Sequence, residues 1–63
     1  MKYIAAREVF GGYLYFKTNV NESPKWTSDK SDAMRFDTSD EAVFNSDISG
    51  IYKGFIISIG VNE

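Results

Sequence analysis

Five carboxylates, Asp29, Asp32, Asp37, Asp40 and Glu41, fall in the stretch 29–41. Oxygens of this kind hold Ca²⁺ or Mg²⁺ when they converge, and a pair sharing one site can move protons. The spacing is not that of a calcium loop, since no glycine stands at the sixth position after Asp29. The plainer reading, helix-start charges on a solvated face, is preferred. A second group is aromatic. Phe10, Tyr13 and Tyr15 alternate towards Lys17, and aromatic rings beside a cation can stack single-stranded bases or anchor a protein interface. A third, Gly11-Gly12, lacks the strand-to-helix setting of a phosphate loop and reads as a turn.

The residue types that are missing narrow the chemistry further. The 63 residues include no His and no Cys. Disulfides, thiolate and imidazole metal sites, and Ser-His or Cys-His nucleophile pairs are thereby excluded. No cofactor or metal is expected. Nothing in the sequence pairs a nucleophile with an orienting base, so the chain is expected not to be an enzyme. Seven Lys and Arg against nine Asp and Glu give a net charge of −2. A duplex-DNA binder carries a basic surplus instead. No apolar run reaches the length of a membrane span, and the start lacks the apolar core of a signal peptide. A soluble, cytoplasmic protein is expected.

These candidates need elements to position them. One domain, 1–63, is expected. A chain this short buries only about 60% of its unfolded surface, so its ten aromatic residues must carry the core. Lys2–Phe10 and Tyr13–Thr18 flank Gly11-Gly12 as a β-hairpin. That turn pairs Phe10 with Tyr13, Val9 with Leu14, Glu8 with Tyr15 and Arg7 with Phe16. One face then carries Ile4, Ala6, Glu8, Phe10, Tyr13, Tyr15 and Lys17. The other, with Tyr3, Ala5, Arg7, Val9, Leu14, Phe16 and Thr18, is predicted to face the core. Asn19–Lys25 reads as a loop, followed by Trp26. A helical turn within Thr27–Met34, capped by Ser28 or Ser31, and a short extended piece at Phe36 come next. Thr38-Ser39-Asp40-Glu41 is a capping box that predicts a helix from Ser39 to Ser46 or Ile48, with Ala42, Val43 and Phe44 turned inward. Ser49-Gly50 stops it. Ile51–Val61 reads as the last strand, with Phe55, Ile57, Ile59 and Val61 towards the core. The fold class is α+β: a small antiparallel sheet of three to four strands, an N-terminal hairpin plus a C-terminal strand, with one short helix packed on it.

Trp26-Thr27, a short acidic-basic stretch, Ala33-Met34-Arg35-Phe36 and then the Thr38-capped Glu41-Ala42 helix form a pattern that resembles short accessory proteins of bacteriophages and prophages. The resemblance covers residues 13 to 44. It implies a strand-turn-helix scaffold, a phage setting and a protein that acts by binding. It transfers no site residues.

The function expected from this is a non-enzymatic protein-binding module that binds and modulates or inhibits a host protein or defence complex, acting in the host bacterial cytoplasm. Its partner-binding residues are expected to be Phe10, Tyr13, Tyr15 and Lys17, if that hairpin face is exposed rather than buried under the helix. The alternative is single-stranded nucleic-acid binding through the same aromatics with Lys2, Arg7 and Lys17. The last strand is long, apolar and nearly uncharged, so a homodimer through it is a further expectation.

Overall fold

The computed structural model describes residues 1–21, 23–48, 50, 52 and 54–62. Ser49, Ile51 and Lys53, which the sequence assigns to the helix stop and the last strand, lie outside the described residues, as do Glu22 and Glu63. The order is β1 (Lys2–Val9), β2 (Gly12–Val20), β3 (Ser23–Thr27), a 3₁₀ turn (Lys30–Asp32), α1 (Ser39–Ser46) and β4 (Ile56–Val61). The strands form one antiparallel sheet in the order β3-β2-β1-β4, and α1 packs across it. The expected α+β class is thus the fold.

The first hairpin differs from expectation by a slip of two residues. Val9 pairs with Gly12, Glu8 with Tyr13, Arg7 with Leu14 and Ala6 with Tyr15. Phe10 and Gly11 are the turn, with Gly11 at φ 91°. The turn needs its positive φ at the second central residue, which Gly11 supplies, and Gly12 (φ 154°) opens the next strand. An even slip leaves every strand residue on its expected face. It moves only Phe10, from the face to the tip.

A β-bulge at Lys17 then inverts the alternation of β2. Phe16 pairs with Trp26, but Thr18 pairs with Lys25 and Asn19 with Pro24. Thr18, expected on the core face, leaves it. Asn19 takes its place, and its Nδ2 donates to the Asn45 carbonyl of α1 at 3.2 Å. Asn19–Lys25 is not a loop but a second hairpin, turned at Asn21 with φ 50°, which Asn tolerates. Pro24 fits because β3 is an edge strand.

The ladder between β1 and β2 ends at Ala6 and Tyr15. Below it the segment Met34–Phe36 is bonded to both strands. Met34 N donates to the Phe16 carbonyl at 3.0 Å, and Tyr3 and Phe36 exchange two backbone bonds of 2.8 Å. The core forms above this wedge. Ala5, Phe16, Ala42 and Ile56 are buried, with Tyr3, Trp26, Phe36 and Tyr52 packed around them. Phe16 meets Trp26 edge-on at 5.7 Å and stacks on Phe36 at 6.2 Å.

Two predicted faces are corrected. In β4 it is Ile56, not Phe55 or Ile57, that enters the core: Ile56 is 6% exposed, against 78% and 46%. Arg7 pairs with Ile56, Ala5 with Ser58 and Tyr3 with Gly60, so the small residues of β4 lie under the helix side. In α1 Ala42 and Ser46 point inward, while Val43 and Phe44 are exposed. Small side chains on both elements let helix and sheet approach closely around Phe16 and Ile56. The opposite sheet face is also apolar. Ile4 and Ala6 are fully buried there beside their larger neighbours Tyr15, Ile57 and Ile59.

The helix start follows expectation. Thr38 Oγ1 accepts from Glu41 N at 3.1 Å, and its hydroxyl donates to Glu41 Oε1 at 3.2 Å. The 3₁₀ turn is capped by Asp29, not by Ser28 or Ser31, because its carboxylate accepts from both Ser31 N and Ser31 Oγ.

Candidate binding cleft

β1 continues to Val9, but its pairing with β4 ends where Arg7 meets Ile56. Gly54, at φ 88°, and a bond from Phe55 N to the Tyr52 carbonyl (2.9 Å) turn the chain away from β1 at this point. Beside the end of the sheet this leaves an open cleft of about 460 Å³, lined by Arg7, Glu8, Tyr13, Tyr52, Gly54, Phe55 and Ile57. The Tyr52 side of the cleft is anchored through Tyr52 N, which donates to Asp47 Oδ1 at 3.1 Å.

Arg7 is the charged group of the cleft wall nearest the core. Its guanidinium carbon lies 5.0 Å from the Trp26 ring centroid and 5.1 Å from that of Tyr52. The two rings themselves meet edge-on at 5.5 Å and 78°. Such contacts stabilise a cation by about 0.5–2 kcal/mol, more as water is excluded. Arg7 Nε is buried with no hydrogen-bond partner, as is Trp26 Nε1. Among the described residues the only ion pair is that of Lys2 with Asp37, so Arg7 has no carboxylate of its own. Glu8, next in sequence, points to the other face of the strand and contributes an acceptor to the same cleft.

The outer wall is apolar and exposed. Phe55, Ile57 and Tyr13 are 78%, 46% and 44% exposed. Of the residues predicted to bind a partner, Tyr13 lines this cleft. Tyr15 is half-buried two residues along the same face, opposite Ala6 and Thr27. Phe10 stands fully exposed at the hairpin tip, and Lys17 is exposed at the bulge. The structure therefore keeps the two tyrosines together and sends Phe10 and Lys17 to separate places. Arg7 was named only for the nucleic-acid alternative, and Tyr52, Phe55 and Ile57 were not in the predicted set. Two distant stretches, β1 and 52–57, bring them together, and the alternation through Phe55 and Ile57 hinted at those two in the wrong phase.

Two carboxylates of the acidic stretch, Asp29 and Asp37, are held by hydrogen bonds within the chain. Hydrogen bonds from the Ser31 hydroxyl and then the Ser31 amide hold Asp29 below its ordinary pKa. Asp37 is likewise lowered, first by its hydrogen bond from Lys2 and then by that ammonium's charge. Among the described residues no three carboxylates gather into a metal site. No helix among them is long and apolar enough to cross a membrane.

Compared with known proteins, the chain matches no family model, no curated protein and no solved structure.

Proposed function

We propose that this chain is a small protein-binding module without catalytic activity, and that the cleft between the β1-β2 hairpin and the start of β4 is its contact surface. The observation that carries this reading is the grouping of exposed Tyr13, Phe55 and Ile57 around a half-buried Arg7 that forms no ion pair with a described residue. Exposed apolar groups gathered at one place mark contact sites, and aromatic and Arg anchors dominate binding energies. Phe10, exposed at the adjoining hairpin tip, extends the surface. In the phage setting that the sequence pattern implies, the partner is a host protein or defence complex whose activity the module modulates or inhibits. The test is capture from bacterial lysate. The wild-type chain should recover one specific protein, and Tyr13→Ala with Phe55→Ala should lose it while keeping a native circular dichroism spectrum. A folded double variant that still captures the same protein would show that the cleft is not the contact surface.

A second reading, self-association, rests on the two sheet edges. β3 carries Pro24 and Lys25, which obstruct pairing, whereas β4 runs Ile56-Ile57-Ser58-Ile59-Gly60-Val61 without charge or proline. Two copies joined along β4 would bury this edge. Light scattering should then give a mass that rises with concentration, and a constant monomer mass would dispose of the reading.

A further inference from the structure

The geometry points to Arg7 as the receptor for a carboxylate, an Asp or Glu side chain of the protein partner whose apolar neighbour packs on Phe55 and Ile57. This inference rests on the cleft being a protein-binding surface and names what that surface recognises.

The rings of Trp26 and Tyr52 hold the guanidinium carbon of Arg7 at 5.0 and 5.1 Å from their centroids. Its Nε is buried, while the two Nη groups are not, and among the described residues no group accepts from them. Two parallel N–H donors in one plane fit the two oxygens of a carboxylate. Because the rings already hold the guanidinium, little side-chain freedom remains to be lost when that acceptor arrives. A cation held by its own fold, in no ion pair with a described carboxylate and opening onto a cleft, is complementary to a negative group brought from outside.

The partner is a polypeptide rather than a nucleic acid for two reasons. Glu8 lines the same cleft, so the site has one positive and one negative group and no surplus for a phosphate backbone. The remaining lining from Tyr13, Phe55 and Ile57 offers mainly apolar contact, which an amino-acid side chain beside the carboxylate fills.

The test is an NMR titration of the whole labelled chain with acetyl-Leu-Glu-Leu-amide, against acetyl-Leu-Gln-Leu-amide as the isosteric neutral control. The Glu peptide should shift the Arg7 Nε–Hε signal together with those of Phe55 and Ile57. The Gln peptide should bind about tenfold more weakly, as expected when a charge-assisted pair is lost. Arg7→Gln should abolish the preference, and Arg7→Lys, which keeps the charge without the fork, should restore only part of it. Equal affinity for the two peptides, or no shift at Arg7 with the Glu peptide, would overturn the proposal. So would inorganic phosphate or oligothymidine shifting Arg7 at lower concentration than the Glu peptide does. If Arg7→Gln does not fold, the comparison of the two peptides on the wild-type chain decides alone. A captured partner that needs Tyr13 and Phe55 but binds Arg7→Gln unchanged would overturn the carboxylate receptor and leave the binding surface standing.

Discussion

Tyr3 and Phe36 are joined by two backbone hydrogen bonds, each 2.8 Å, across a gap that β2 leaves open beside β1. The pairing makes a stretch with no strand of its own part of the sheet. It also brings the Phe36 ring onto Phe16, the largest fully buried side chain.

Phe36→Ala should therefore cost about 2–4 kcal/mol, near the lower part of the range for buried aromatics because Phe36 is only partly buried. A domain of this size has a total stability of about the same order. Urea unfolding followed by Trp26 fluorescence should show a large loss of midpoint. A midpoint within a few tenths of wild type would mean that the wedge is dispensable.

Two glycines should respond with opposite sign. A Cβ at Gly60 meets Met1 Sδ at 2.9 Å, but Met1 is an exposed, flexible side chain that can move aside. Gly60→Ala should be neutral or stabilising by up to about 1 kcal/mol, because it restricts the unfolded chain. At Gly11 a Cβ meets nothing, yet φ is 91°, so Gly11→Ala should cost about 1–2 kcal/mol. Thermal melts of the two variants check the difference in sign.

Thr38→Ala removes the acceptor of Glu41 N and should lose about 1 kcal/mol, and Thr38→Ser should recover most of it. A thermal midpoint for Thr38→Ala equal to wild type would show that the cap contributes nothing to the fold.

How far the sequence revealed this structure follows from how local each signal is. The helix Ser39–Ser46 was legible because its cap chemistry lies within Thr38–Glu41. The second hairpin was not, because Pro24 and Asn21 are loop residues in general and become strand and turn residues only at a sheet edge. The β4 faces were misread because both faces of this sheet are apolar. Bulk then no longer identifies the core side, and the small Ser58 and Gly60 mark the side where the chain packs against itself. Tyr13 was picked out by its alternation, and it lines the cleft. The Arg7–Trp26–Tyr52 cluster joins β1, β3 and the chain ahead of β4, a proximity no local pattern encodes.

The Lys2–Asp37 pair predicts a pH dependence. Because Lys2 lowers the folded-state pKa of Asp37, its contribution is fully present above the ordinary carboxylate value and is lost as pH falls through the lower folded one. Asp37→Asn should thus be less stable than wild type at pH 7 in low salt, with the difference vanishing in acid. Both groups are substantially exposed, so added salt should shrink it too. A difference that persists unchanged in strong acid would show that the pair is not its source.

Hydroxyl-radical footprinting of the chain, free and bound to the protein it captures, measures the contact surface most directly. In the free chain the exposed rings Phe10, Tyr13, Phe44 and Phe55 should all be oxidised. In the complex Tyr13 and Phe55 should be protected, while Phe44, on the outer side of α1, stays as reactive as before. Protection of Phe44 with Tyr13 and Phe55 unchanged would place the interface on the helix and contradict the cleft.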